Sequence, residues 1–240
     1  MINWNQYGVK NGECIYKNSL KSDQDIREFV LEGSAKISFP EGRMRMENAM
    51  SADQGQKANY VLWCPEDFPS DVYIQWKFWP IKEPGLCILF FSAAGRNGED
   101  LFDPSLQART GEYNLYHHGD INAYHVSYFR RKEADERAFH TCNLRKSYGF
   151  HLTAQGGDPI PDADEAASPY TLGVLKYREQ VRFFVNDMEV FCYLDDGRTY
   201  GPRLGGGKIG FRQLAPLVAE YADLEVYALH AGEDEKDARD

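Results

Sequence analysis

Apolar residues in this chain gather in short runs, most of them alternating with polar residues, a pattern that points to antiparallel sheets and away from helical folds. The clearest runs are 71–79, 86–91, 124–131, 180–185, 190–194, 208–212 and 223–229. Successive side chains of a strand point to opposite faces, so each run describes an element with one side toward a core. The runs are rich in Tyr, Phe, Val and Ile, which pack well on a pleated surface; 15 Tyr and 14 Phe occur among 240 residues. Turn residues separate them. Asn186-Asp187 predicts a hairpin turn, Asp195-Asp196-Gly197 a strand end, and Gly205-Gly206-Gly207 a flexible entry to the next strand. Helical periods are nearly absent: Leu214–Tyr221 forms at most a turn or two, while Lys132–Arg137 and residues 155–169 read as surface loops.

Many short strands with few helices predict an all-β fold, two packed antiparallel sheets in a single domain over residues 1–232, with 233–240 as a charged tail. The size suits one sandwich core. Met1-Ile2-Asn3-Trp4-Asn5-Gln6 has neither a basic start nor an apolar run, and no stretch approaches the roughly 20 apolar residues of a membrane span, so a cytoplasmic protein without membrane contact is expected. Five cysteines without C-x-x-C spacing read as reduced, buried thiols. A net charge of −10 argues against nucleic-acid binding, which needs many exposed cations to displace counterions from phosphates.

Against that acidic background, residues 124–146 gather cations and proton-handling groups. If Val126, Leu144, Val181, Phe183, Ile209 and Phe211 point inward, alternation turns His125, Ser127, Arg131, Asn143, Arg145, Arg182, Gly210 and Arg212 outward. This outward set is almost entirely donors, although the chain has 37 acidic residues against 27 basic ones. A merely solvated face would be mixed or negative. Guanidinium forks match a carboxylate, so the face suits a small anion.

The strings Gly85-Leu86-Cys87-Ile88-Leu89-Phe90-Phe91-Ser92-Ala93, Gly119 through Arg131, Cys142-Asn143-Leu144-Arg145-Lys146 and Gly207 through Leu217 resemble the YesU-like family of domains of unknown function, and the likeness spans about residues 14–230. The resemblance implies a concanavalin A-like jelly roll of two curved sheets whose concave face, in many relatives of that fold, binds or cleaves polysaccharides. It also implies a setting in the catabolism of acidic plant or algal polysaccharides, and so an acidic oligosaccharide as ligand. It assigns no reaction, and fold alone does not settle function.

Hydrolases of this fold resemble one another in a strand-borne Glu-x-Asp-x-x-Glu, which sets two carboxylates at roughly 5 Å around the scissile bond. That motif is absent; Glu133, Asp135 and Glu136 come nearest, with the third position misplaced. The available residues fit elimination from a uronic acid, in which the carboxylate is neutralised, the adjacent C5 proton is removed and the leaving oxygen is protonated. On this reading Arg145, Arg131 and Arg212 clamp the carboxylate, Asn143 and Ser127 add neutral contacts, Trp79 offers a platform, and His125 is the base. Tyr128 serves as acid only if a bulge brings it to the face of His125, and Tyr116 is the second candidate. The reaction requires no cofactor. Sandwiches of this type often hold a structural calcium where the first and last strands meet, for which Asp223 and Glu32 are candidate ligands. The alternative functions are a non-catalytic carbohydrate-binding protein on the same face and a basic patch that docks an acidic partner; self-association is left open.

Overall fold

The computed structural model describes residues 3–231. In chain order the strands are β1 (Val9–Asn18), β2 (Val30–Gly33), β3 (Ala35–Ser38), β4 (Met44–Asn48), β5 (Tyr60–Trp63), β6 (Val72–Lys82), β7 (Leu86–Gly95) and β8 (Ile121–Tyr128). They continue with β9 (Thr141–Ser147), β10 (His151–Gly157), β11 (Tyr170–Tyr177), β12 (Gln180–Val185), β13 (Met188–Leu194), β14 (Lys208–Leu214) and β15 (Val218–Ala231). Two short helices, α1 (Asn114–His117) and α2 (Ala134–Phe139), lie on either side of β8.

The strands form two antiparallel sheets. One has eight strands in the order β13-β12-β11-β6-β15-β4-β3, with β1 joined to β15; the other has seven, β10-β9-β8-β7-β14-β5-β2. Chain neighbours are often not sheet neighbours, as with β7 between β8 and β14, and the first and last strands pair. The fold is a jelly-roll sandwich. Its core is the apolar layer between the sheets, and all six residues expected to point inward, from Val126 to Phe211, lie in it. The hairpin at Asn186-Asp187 joins β12 to β13 with φ of 49° and 65°, the left-handed pair that a two-residue turn requires.

Four local expectations need correction. Lys132–Arg137 is not a loop. Its second half is the start of α2, where the side chains and backbone of Glu133 and Glu136 form a reciprocal capping box that satisfies the orphan N–H groups of the first turn. Leu214–Tyr221 contains no helix; it is the end of β14, a turn, and the start of β15. The surface loop expected over 155–169 begins only after β10 ends at Gly157. All five cysteines are free, but Cys14 and Cys192 are exposed rather than buried. The predicted charged tail lies outside the described residues.

The feature that shapes the site is the long connection between β7 and β8, residues 96–120. It folds back over the outer face of the seven-stranded sheet, and Leu101 and Tyr116 from it pack with Val61, Trp63, Ile88 and Phe90 in a second apolar cluster. The sheet is therefore covered on both sides, one by the other sheet and one by this segment. Gly111 fits the cover closely to the body: its φ is +93°, and a Cβ there would sit 2.0 Å from the Asn59 carbonyl oxygen. Among the described residues no helix is long and apolar enough to cross a membrane.

Candidate functional site

Cross-strand register assembles the site. On the outer face of the seven-stranded sheet, Arg145 of β9 stands opposite His125 of β8, His125 opposite Phe90 of β7, and Phe90 opposite Gly210 of β14. The next row on that face runs Asn143, Ser127, Ile88, Arg212. Alternation thus places His125, Ser127, Asn143, Arg145 and Arg212 on one face, as expected. With strands about 4.8 Å apart, Arg212 stands three strands from Asn143, and the gap must be filled from above.

Tyr113 fills it. Just ahead of α1 in the covering segment, its hydroxyl lies 3.1 Å from His125 Nδ1, and its ring lies 4.9 Å beneath the Arg212 guanidinium carbon and edge-on to His117 and Phe150. Burial pushes the Tyr113 phenol up to about 12, while Arg212, Arg145 and Arg130 pull the other way by favouring the phenolate. Gln56 holds the arrangement from a third direction, accepting from Arg212 Nη2 and from the Tyr113 backbone N–H, each at 3.3 Å.

His125 is 1% exposed, so Tyr113 stands between it and any ligand. Its Nε2 is 2.9 Å from Ser147 Oγ, and that oxygen also lies near the carbonyls of Ala123 and Tyr116, at 3.2 and 3.3 Å. A serine hydroxyl donates once; with its proton on one of these carbonyls, Oγ accepts from Nε2–H as it does from the Ala123 N–H at 3.2 Å. The basic lone pair is then on Nδ1, aimed at the Tyr113 hydroxyl. Burial, and beyond it the charges of His117, Arg145 and Arg212, hold this imidazole well below its usual pKa, and it is neutral. His117, half-buried on the Phe150 ring, is lowered to about 4, chiefly by burial.

The cationic side chains divide into two kinds. Arg131, Lys146 and Lys208 are buried and each holds carboxylates: Asp158 and Asp162, Asp195, and Asp67 with Asp100. Arg145 and Arg212 have no carboxylate within ion-pair distance among the described residues. Arg145 lies flat on the Phe150 ring at 3.7 Å and donates from Nη1 to the Phe150 carbonyl, leaving the rest of its fork for solvent or ligand. Arg212 is fully buried; it donates to the Gly111 carbonyl, and its Nε has no partner. Asn143 Oδ1 accepts from Gln155 Nε2 at 2.8 Å, and with the amide turned over its oxygen would accept from Arg130 Nη1 at 3.1 Å instead. Arg130 itself pairs with Glu136 of α2.

Four expected site residues lie elsewhere or play other parts. Arg131 follows the end of β8, where its guanidinium is locked by Asp158, Asp162 and the Ile160 carbonyl, so it belongs to a structural cluster. Tyr128 shares an unbroken register with His125 and has no bulge to turn it; its ring packs in the core against Trp76 and Phe78. Tyr116 is on the correct face but fully buried, with its ring stacked on Phe90 and its hydroxyl accepting from Gly111 N–H. Trp79 is on β6 of the other sheet, capped by Arg43. Ser127 lies on the site face, with Oγ 3.5 Å from the Asn143 carbonyl. The calcium candidates are not brought together: Glu32 of β2 is held by Arg109 at 2.7 Å, and Asp223 is on β15 in the opposite sheet. No cluster of three or more His, Cys, Asp or Glu suited to a metal occurs among the described residues.

The family described as Domain of unknown function (DUF1961) matches residues 13–226. The chain belongs to that family. The "Uncharacterized protein YesU" of Bacillus subtilis (strain 168) is 52% identical over 218 residues, covering 91% of this chain and 97% of YesU. A solved Bacillus subtilis protein described as of unknown function with a galectin-like fold superposes with a TM-score of 0.89 at 50% identity, over 93% of this chain and all of that one. An endo-beta-1,3-glucanase from Pyrococcus furiosus shares the fold at a TM-score of 0.58 and 10% identity, over 92% and 96% of the two chains. At that identity the likeness speaks for the DUF1961 fold alone.

Proposed function

We propose that this protein is carbohydrate-active and eliminates a sugar or water from uronic-acid-containing oligosaccharides, with Tyr113 and His125 as the proton-transfer pair. The observation that carries the reading is the pair of carboxylate-free guanidiniums, Arg145 and Arg212, beside the Tyr113–His125 hydrogen bond. In a chain of net charge −10, two such cations left without carboxylates beside a phenol and a neutral imidazole form an anion site with a base built into it. The jelly-roll fold, which the glucanase shares, is compatible with a saccharide ligand.

Arg145, with its half-open fork, takes the substrate carboxylate, and Asn143 and Gln155 beside it offer neutral contacts. Neutralising that carboxylate makes the neighbouring C5–H acidic. His125 Nδ1 receives the Tyr113 proton, and the phenolate, stabilised by Arg145 and the buried Arg212, removes the C5 proton. The C5–H electron pair becomes the C4=C5 double bond, the C4–O bond breaks, and the regenerated Tyr113 hydroxyl protonates the departing oxygen. His125 then returns its proton to Tyr113. The arginines supply all the positive charge the step calls for, so it takes no metal or cofactor.

Incubation with saturated and unsaturated uronic oligosaccharides tests the reading, with ultraviolet absorbance following the double bond and masses following the products. Loss of water distinguishes a dehydratase from the chain scission of a lyase. Tight binding of those oligosaccharides without any new product would overturn the reaction and leave a carbohydrate-binding protein. The full enclosure of His125 is the observation that favours this second reading.

A further inference from the structure

At the end of the β8–β9 pair a pocket of about 370 Å³ opens beside the site, within the size range of small-ligand pockets. It is walled by Arg96, Asn122, Tyr148, His151 and Tyr200 among others, and among the described residues no carboxylate lines it. The Arg96 guanidinium lies 3.9 Å over the Tyr148 ring, and the His151 ring stacks on Tyr200 at 4.7 Å. Neither side chain of Arg96 or His151 has a hydrogen-bonding or acidic partner among the described residues. Lys146, in contrast, is taken up by Asp195 and the Gly201 carbonyl.

The pocket and the Arg145 site lie on either side of one turn. Tyr148 faces the pocket, whereas Phe150, two residues on, lies under Arg145; Gly149 N–H between them donates to the His117 carbonyl at 2.7 Å. The His118 ring bridges back to Tyr148 at 5.6 Å, and Ser147, which lines the pocket, binds His125 from behind. Arg145 and the pocket-lining Ser147 are two residues apart on β9, about 7 Å along the strand, which is on the scale of one sugar unit.

We infer that this pocket is a second subsite, which receives the adjacent sugar of the same oligosaccharide and pairs Arg96 with a carboxylate on it. The preferred ligand then carries two consecutive uronic residues. This rests on the reading of the Arg145 site as a uronate site, and calorimetry with three probes separates the two: a free uronic acid, a disaccharide with one uronic and one neutral residue, and a diuronic disaccharide. The protein should bind the diuronide most tightly. Arg96→Gln should reduce that affinity by at least about tenfold, the worth of one charge-assisted hydrogen bond, while leaving the other two probes unchanged. Arg96→Lys should recover part of the loss. Arg96 is exposed, so these variants should fold. Equal affinity of the protein for both disaccharides, or an equal loss for both in Arg96→Gln, overturns the subsite while leaving the Arg145 reading in place. Failure to bind any of the three overturns the Arg145 reading itself, and the subsite with it.

Discussion

Arg131 and Arg145 carry the same guanidinium and come from the same donor-rich stretch, yet burial and partners give them opposite work. Arg131 is sealed between Asp158 and Asp162, and its removal would leave a buried carboxylate unpaired. Arg131→Ala should therefore cost about 3–5 kcal/mol of stability, read as a lowered urea midpoint. Arg145 rests on Phe150 with no carboxylate beside it. Arg145→Lys should leave the urea midpoint nearly unchanged while weakening uronate binding by about 1.5–3 kcal/mol, because a point charge replaces a planar fork. A stability loss in Arg145→Lys matching that of Arg131→Ala would mean that both are structural. Which arginine finds a carboxylate was not legible in the sequence, since Asp158 and Asp162 approach Arg131 only through the loop after β10. The shared face of His125, Asn143, Arg145 and Arg212 was legible, because period-two alternation and register alone decide it.

Among elements, the β7–β8 connection converts an open sheet face into an enclosed site. The sequence carried a signal for it: Leu101, Phe102, Leu106, Tyr113, Leu115 and Tyr116 are too apolar for a solvated loop, and this stretch supplies the site's phenol. Strand periodicity had no hold on it, because the segment is neither strand nor long helix and its apolar residues have no regular spacing. The same blindness hid α2, where the capping box of Glu133 and Glu136 turns a charged run into a helix start. The cover depends on the tight fit at Gly111. Gly111→Ala would set a methyl against the Asn59 carbonyl at a backbone angle that side chains avoid, and should cost about 1–3 kcal/mol. Because the Gly111 carbonyl also accepts from Arg212, hydrogen exchange should rise through residues 96–120 before the rest of the chain. Uniform exchange across the whole chain would show that the cover is not a separate unit.

At the scale of the whole molecule, the enclosed imidazoles tie folding to pH. His125 and His117 both have folded pKa values below the unfolded value of roughly 6.5, so on acidification the unfolded chain binds protons that the folded one refuses. Stability should be at its full value above that pH and fall as pH drops from it toward the lowered pKa values; His117→Gln should flatten part of the decline, as urea midpoints between about pH 6.5 and 5 would show. The same chemistry predicts that activity persists to a pH below the ordinary imidazole range and fails when His125 is protonated and can no longer take the Tyr113 proton. The central claim is that Tyr113, backed by His125, works on a uronate held by Arg145. It is tested most directly by comparing Tyr113→Phe with the unaltered protein on one uronic oligosaccharide, measuring affinity and turnover together. The predicted result is affinity within a few-fold and turnover lower by about 10² to 10⁴, the usual worth of a positioned proton-transfer group. Undiminished turnover in Tyr113→Phe would contradict it.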